Sequence, residues 1–145
     1  MIEKLNPPTV HEPAGYSHVT ITTAGRLAHL AGQCPLDLAG AVVGEPGDYA
    51  AQTDQVVANC LAVLAAAGAR PADVVRSVVY VVSSDSGVLG GVWSRLMDSE
   101  LAPAFTTAGT LLGVAALGYE RQLIEIDLTA TLPDRAEPPG QTIMR

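Results

Sequence analysis

The residues able to do chemistry are few and scattered along the chain. Near the C-terminal end, Ile124-Glu125-Ile126-Asp127 alternates apolar and acidic side chains. In a strand this sends Glu125 and Asp127 to one face and the isoleucines to the other. A carboxyl so placed is either a proton carrier or one side of a salt link. The histidines are His11, His18 and His29. His18 stands two residues from Tyr16 and is a candidate second acid/base, the alternative being a packed or surface histidine. Cys34 and Cys60 form no Cys-x-x-Cys pair, and neither has a His or second Cys at metal spacing. They are expected to be reduced thiols, and no metal is expected. The sequence contains no defensible Ser-His-Asp order and no phosphate-binding glycine loop.

The elements that must position these residues follow from the hydrophobic pattern. Residues 1–15 are Pro-rich and read as an extended lead-in. Residues 18–23 alternate as a strand, Ala24-Gly25-Arg26 reads as a tight turn, and 27–31 reads as a second strand, giving a hairpin. Residues 32–48 are Gly/Pro-rich and irregular, with Asp48 as an N-cap. Residues 49–67 are the clearest helix. Val56, Cys60 and Leu64 form its apolar stripe, Gln52, Asp54, Gln55 and Asn59 supply the polar side, and Gly68 closes it. Val74 to Val82 is a β-branched strand containing Tyr80. A weaker helix covers roughly 88–99, because Gly90 and Gly91 each cost about 1 kcal/mol relative to Ala. Two strands follow, at 106–114 and 123–132.

The order β-β-α-β-α-β-β predicts an α+β fold, one mixed sheet with two helices packed on one face. A single domain is expected over 1–132, with 133–145 as a mobile C-terminal tail. The valines of 74–82 are apolar on both strand faces, so the second sheet face calls for cover by another subunit. Fifteen acidic against eight basic residues give a net charge of −7, which argues against nucleic acid and anionic membranes as partners. Hydrophobic residues at 48% and charged residues at 16% exclude disorder. The chain has no signal-like start and no membrane-length apolar run, so it reads as cytoplasmic.

Several segments together resemble one family. They are Gly15-Tyr16-Ser17-His18, then Leu30-Ala31-Gly32-Gln33-Cys34-Pro35-Leu36-Asp37, then Gln52, Gln55 and Asn59 on the helix. Ala66-Ala67-Gly68 with Asp73-Val74-Val75, Pro103-Ala104, and Ile124-Glu125-Ile126-Asp127 complete the set. In order and spacing, over roughly 13–131, the set resembles the RidA/YjgF family of reactive-intermediate deaminases. The resemblance implies a homotrimer around a central barrel of sheets, with clefts at the subunit interfaces and no metal or organic cofactor. It implies hydrolysis of a small enamine, imine or related C–N substrate to a carbonyl compound and ammonia.

The resemblance also assigns roles. Glu125 matches the acidic residue that moves the proton or holds the water, and Tyr16 a cleft tyrosine that orients. Thr107 falls at a small polar position beside the cleft, and Gly32 where backbone approaches a ligand. The family's carboxylate-binding arginine, which follows Pro-Ala, is here Phe105, which could wall an apolar pocket instead. The usual 2-imino acids are therefore not the expected substrates. Arg121 and Arg95 are the nearest arginines that could reach the cleft. Trp93 reads as core. Two other readings stay open: a non-catalytic trimeric small-molecule-binding or regulatory protein with a vestigial site, and an endoribonuclease or translation inhibitor, which the acidic charge opposes.

Overall fold

The computed structural model describes residues 1–23 and 25–134. Ala24 of the expected turn and residues 135–145 of the expected mobile tail lie outside the described residues. The strands are β1 (Ile2–Leu5), β2 (Val19–Thr22), β3 (Arg26–His29), β4 (Val74–Val82), β5 (Ala108–Val114) and β6 (Ile124–Leu132). The helices are α1 (Tyr49–Ala67) and α2 (Ser86–Met97), with short 3-10 turns at Pro71–Asp73 and Ala102–Phe105.

The fold is α+β, with the strands in two sheets. A mixed four-stranded sheet runs β3-β6-β4-β5, with β4 and β5 parallel and the other pairs antiparallel. A separate ribbon joins β1 to β2. Two expectations are corrected here. The lead-in holds a strand, because Ile2–Leu5 lies ahead of the prolines and is free to pair. The hairpin between β2 and β3 does not form: β2 pairs with β1, and β3 crosses to β6, where Ala28 meets Ala130.

The caps explain the helix ends. The Asp48 carboxylate accepts from the Ala51 N–H at 2.9 Å, and Gly68 closes α1 in the left-handed conformation at φ 85°. In α2 the Asp85 carboxylate accepts from the Gly87 N–H, which starts the helix two residues earlier than its pattern suggested. Both helices cover one face of the main sheet. Val56, Cys60 and Leu64 of α1 and Leu96 of α2 pack on Val79, Val81, Ile124, Ile126 and Leu128. The opposite face carries Val78, Tyr80 and Val82 of β4 beside Glu125 and Asp127 of β6, all half-buried in the single chain.

Phe105 lies inside this core. It is 1% exposed and meets Trp93 edge-on, with ring centroids 5.5 Å apart. The expectation that Phe105 walls a ligand pocket is therefore corrected. The 3-10 turn that carries it rolls its ring under α2, where the apolar side chain gains more from burial than from a wet cleft. Phe105→Ala should lower unfolding free energy by about 3–5 kcal/mol in a urea titration. Phe105→Arg buries an unpaired guanidinium and should lose at least as much. A midpoint unchanged in both variants would contradict this placement.

Candidate active site

Glu125 sits near the start of β6, opposite Tyr80 of β4. Asp127, two residues on, lies opposite Val78 and accepts a hydrogen bond from the Tyr80 hydroxyl at 3.1 Å. That carboxylate bond, aided by burial, pushes the Tyr80 phenol above its ordinary value.

Beyond β3 the chain keeps to the side of β6 but carries one extra residue. His29 opposes Thr129, and Gln33 opposes Ile126, so four steps on one segment match three on the other. This is a β-bulge. The Gln33 N–H donates to the Ile126 carbonyl at 2.8 Å and the Ile126 N–H returns to Gln33 at 3.1 Å. The bulge brings Gly32 against both carboxylates. A Cβ there would collide with Glu125 Oε2 and lie 3.0 Å from Asp127 Oδ1, so any other residue would push the Glu125 carboxylate from its place.

Two neutral donors converge on the other oxygen of Glu125. The Cys34 thiol donates to Oε1 at 3.1 Å, whereas the Gly32 carbonyl is farther from it at 3.7 Å. The Gln122 Nε2 donates to the same Oε1 at 3.2 Å and to the Ile124 carbonyl at 3.0 Å. The Gln122 Oε1 accepts from the Tyr119 N–H at 3.1 Å, which fixes the orientation of the amide. Glu125 Oε2 has no hydrogen bond among the described residues.

Helix α1 holds both donor loops. Asn59 Nδ2 donates to the carbonyls of Cys34 and Leu36, each at 2.9 Å, and Gln55 Nε2 donates to Asn59 Oδ1 at 3.0 Å. Two turns earlier, Gln52 Nε2 donates to the Arg121 carbonyl at 2.9 Å and Gln52 Oε1 accepts from the Leu123 N–H at 2.7 Å. Gln52 is 1% exposed, so the expectation that it lies on the polar side of the helix is corrected. It is a buried amide paired at both ends, which is the condition for burying one.

The expected site residues do not all meet. Glu125 and Gly32 are in contact. Tyr16 lies elsewhere, in a groove of about 310 Å³ with Trp93, Gly109, Thr110 and Leu111 along the outer edge of β5. Two strand spacings separate that edge from β6. Its hydroxyl pairs with His11 Nε2 at 2.6 Å, and His18 packs beside it with ring centroids 5.7 Å apart. His18 itself meets the His11 carbonyl through Nε2 at 2.7 Å. Thr107 is 1% exposed and its hydroxyl donates to the Val74 carbonyl at 3.0 Å, so its expected ligand-binding hydroxyl is already engaged in the fold. Arg121 is exposed, takes a left-handed φ of 65°, and donates to the Gly44 carbonyl at 3.4 Å. Arg95 forms a two-pronged pair with Asp54, both bonds 2.7 Å, tying α2 to α1 away from the cleft.

Cys34 and Gln122 were not among the expected site residues. Nothing in residue type or spacing links position 34 to 125; only the bulged pairing of 30–33 with β6 does. Gln122 carried a faint signal, standing three residues before Glu125 at the strand entrance.

The match to known proteins now has its structural context. The family model Endoribonuclease L-PSP matches residues 9–132. The chain belongs to this family, known also as RidA/YjgF. YyfB of the conserved Rid protein family, from Yersinia pestis and of unknown function, is 38% identical in its crystal structure. The alignment covers 90% of this chain and 98% of that one, with a TM-score of 0.77. A member of the YjgF/YER057c/UK114 family from Mycobacterium tuberculosis is 25% identical over 91% of this chain and all of its own, with a TM-score of 0.53. Protein DfrA of Myxococcus xanthus is 39% identical over 66 residues. That match takes in 46% of this chain, which spans half the length of that curated relative. Among the described residues of this RidA/YjgF member, no helix is long and apolar enough to cross a membrane.

Burial pushes the Cys34 thiol up to about 11, and the hydrogen bond and charge of Glu125, with the charge of Asp127, push the same way. Burial alone accounts for most of the rise at Cys60, to about 12. At neutral pH Cys34 is therefore a protonated donor. A thiol raised on folding contributes stability that is complete below its unfolded value and is lost as pH climbs through the folded one. Unfolding midpoints should thus stay level up to the ordinary thiol value of 9.0 and decline beyond it. Cys34→Ser should flatten the part of that decline between 9.0 and about 11. An identical decline in wild type and variant would show that Cys34 is not so buried or so bonded.

Proposed function

We propose that this protein hydrolyses a small enamine, imine or related C–N compound at a cleft between subunits of a homotrimer. The observation that carries the reading is the state of Glu125: Oε1 is held by two neutral donors, and Oε2 is free beside Gly32. A carboxylate with one fixed and one free oxygen suits a group that passes a proton between water and nitrogen. In the imine step, Oε2 takes a proton from water as the water oxygen bonds to the imine carbon. The nitrogen receives that proton, giving a neutral carbinolamine. Oε2 then takes the carbinolamine hydroxyl proton and hands it to the amine nitrogen, the C–N bond breaks as the C=O bond forms, and ammonia leaves a carbonyl behind. Each turnover consumes one water and needs no redox partner.

Electrostatics narrows the substrate. Phe105 stands where an arginine would pair with a substrate carboxylate, and its ring is in the core. The face around Glu125 carries a second carboxylate, Asp127. A 2-imino acid would bring a third negative charge beside Glu125 and Asp127, while Arg76, the arginine of this face, is engaged toward β5, donating to the Thr110 hydroxyl at 3.0 Å, a costly arrangement in a closed cleft. The reading therefore favours neutral or cationic enamines and imines. The same carboxylates, with the net charge of −7, oppose an RNA substrate of the kind the family name suggests.

The trimer is supported by two features of the single chain. The face bearing Glu125 also presents Val78, Tyr80 and Val82 and has no helix over it. Tyr16, the other expected catalytic residue, lies at the β5 edge and cannot meet Glu125 within one chain. Packing one copy's β5 edge against the next copy's open face would bring the two together.

The test is ammonia release from a panel of uncharged and cationic enamines, each generated in place by an amine-releasing enzyme. Wild type should turn over at least one. Glu125→Gln should lose about 10²–10⁴-fold in kcat, and light scattering should give three times the chain mass for both proteins. Full turnover in Glu125→Gln would remove Glu125 from the mechanism. Ligand-induced thermal shifts without turnover across the panel would favour the non-catalytic binding protein instead.

A further inference from the structure

The proposed reaction needs only the free oxygen of Glu125, so Cys34 has no part in it as written. Its placement nevertheless ties it to that oxygen. The thiol is half-buried one residue beyond the bulge that carries Gly32. It can donate one proton. Its acceptors are the Gly32 carbonyl at 3.7 Å and the Glu125 carboxylate at 3.1 Å. The shorter bond is also the one to an ionised acceptor, so the proton goes to Glu125.

We propose that Cys34 is a positioning residue: its Sγ–H, acting with Gln122, fixes Glu125 Oε1 so that Oε2 is the oxygen turned toward Gly32 and the substrate. This deepens the reading of Glu125 as the proton carrier and rests on it. The last torsion of a glutamate is soft and nearly two-fold, so a single donor would let the carboxylate swing. Two donors on one oxygen, one from the segment after β3 and one from the turn that leads into β6, remove that freedom. Helix α1 fixes both loops, through Asn59 on the Cys34 carbonyl and Gln52 on the residues flanking Gln122. The thiol also supplies no countercharge, so it orients the carboxylate and leaves its negative charge in place. The titratable side chains that bear on the thiol are Glu125 and Asp127, both of β6, and the raised thiol value keeps the donor protonated over the working range.

Two measurements on the full-length protein test this. The first needs no activity. The rate of iodoacetamide alkylation at Cys34, followed by peptide mass spectrometry at mildly alkaline pH, reports the thiolate fraction. Glu125→Gln removes the charge and weakens the bond, so alkylation should rise by about threefold to tenfold. Asp127→Asn, which does not touch the thiol directly, should raise it less. A rate in Glu125→Gln within twofold of wild type would overturn the proposal.

The second measurement uses ammonia release. Cys34→Ala should lower kcat by about tenfold, with KM unchanged and the acid limb of the pH–rate profile displaced. Cys34→Ser, which restores a donor, should recover most of the rate and the original profile. Equal kinetics in the Ala and Ser variants would overturn the positioning role, since a space-filling role would move only the melting temperature. The two failures stay separate. Faster alkylation in Glu125→Gln without any wild-type turnover sinks the hydrolase reading and leaves the Cys34–Glu125 pair standing. Equal alkylation with turnover intact does the reverse.

Discussion

The arrangement of the site depends on the buried amide of Gln52 and, two helical turns on, the amide of Asn59. Each ties a loop to α1 through that loop's backbone groups. The loop after β3 brings Gly32 and Cys34 to β6, and the turn before β6 brings Gln122. The first is pinned to β6 at one end by the Gln33–Ile126 bridge, and the second has no strand or helix of its own to set its position. An amide paired at both oxygen and nitrogen is demanding in geometry, because any shift of the loop leaves a buried donor or acceptor unsatisfied at a cost of about 1–3 kcal/mol. This turns two irregular segments into fixed walls around one carboxylate. The candidate site is thus positioned from the far side of the sheet, by a helix with no hydrogen bond to Glu125 among the described residues.

The same constraint explains which parts of the architecture were legible in the sequence. Helix α1 and strand β4 have the boundaries their patterns imply, because each is set by local chemistry: Asp48 and Gly68 at the caps, and a β-branched run between polar turns. Strand partners were less legible. The short spacing of β2 and β3 suggests a hairpin, but β3 gains more by burying Ala28 against Ala130, and β2 is left for the N-terminal strand. Pairing over a separation of about a hundred residues leaves no trace in local periodicity.

The candidate site divides along the same line. Glu125 was legible twice, from its alternation with isoleucines and from the family resemblance. Gly32 was legible as a glycine under a requirement, and the structure supplies the requirement in the carboxylate it must clear. Phe105 and Thr107 were misplaced because sequence alignment assigns a position and not a direction. Phe105 ends the short 3-10 turn at 102–105 and Thr107 follows it by two residues, and their side chains turn inward to the core and to the Val74 carbonyl. Cys34 and Gln122 went unseen because their role exists only once a bulge and a helix have set two distant loops side by side.

One physical demand then acts on the proposed assembly. In a single chain the Glu125 face is open to water, where charges a few ångströms apart interact by only about 1 kcal/mol and a held carboxylate gains little over a free one. Excluding water strengthens every interaction the two donors make, and it raises the penalty for an unpaired anionic substrate in the same proportion. In the proposed assembly, selectivity against carboxylates and catalytic power from Glu125 would thus have one source, the closing of the open face by a second copy. The valines and Tyr80 on that face supply the apolar surface for such closure. The two carboxylates beside them would oppose a further negative charge near Glu125 in the proposed closed cleft.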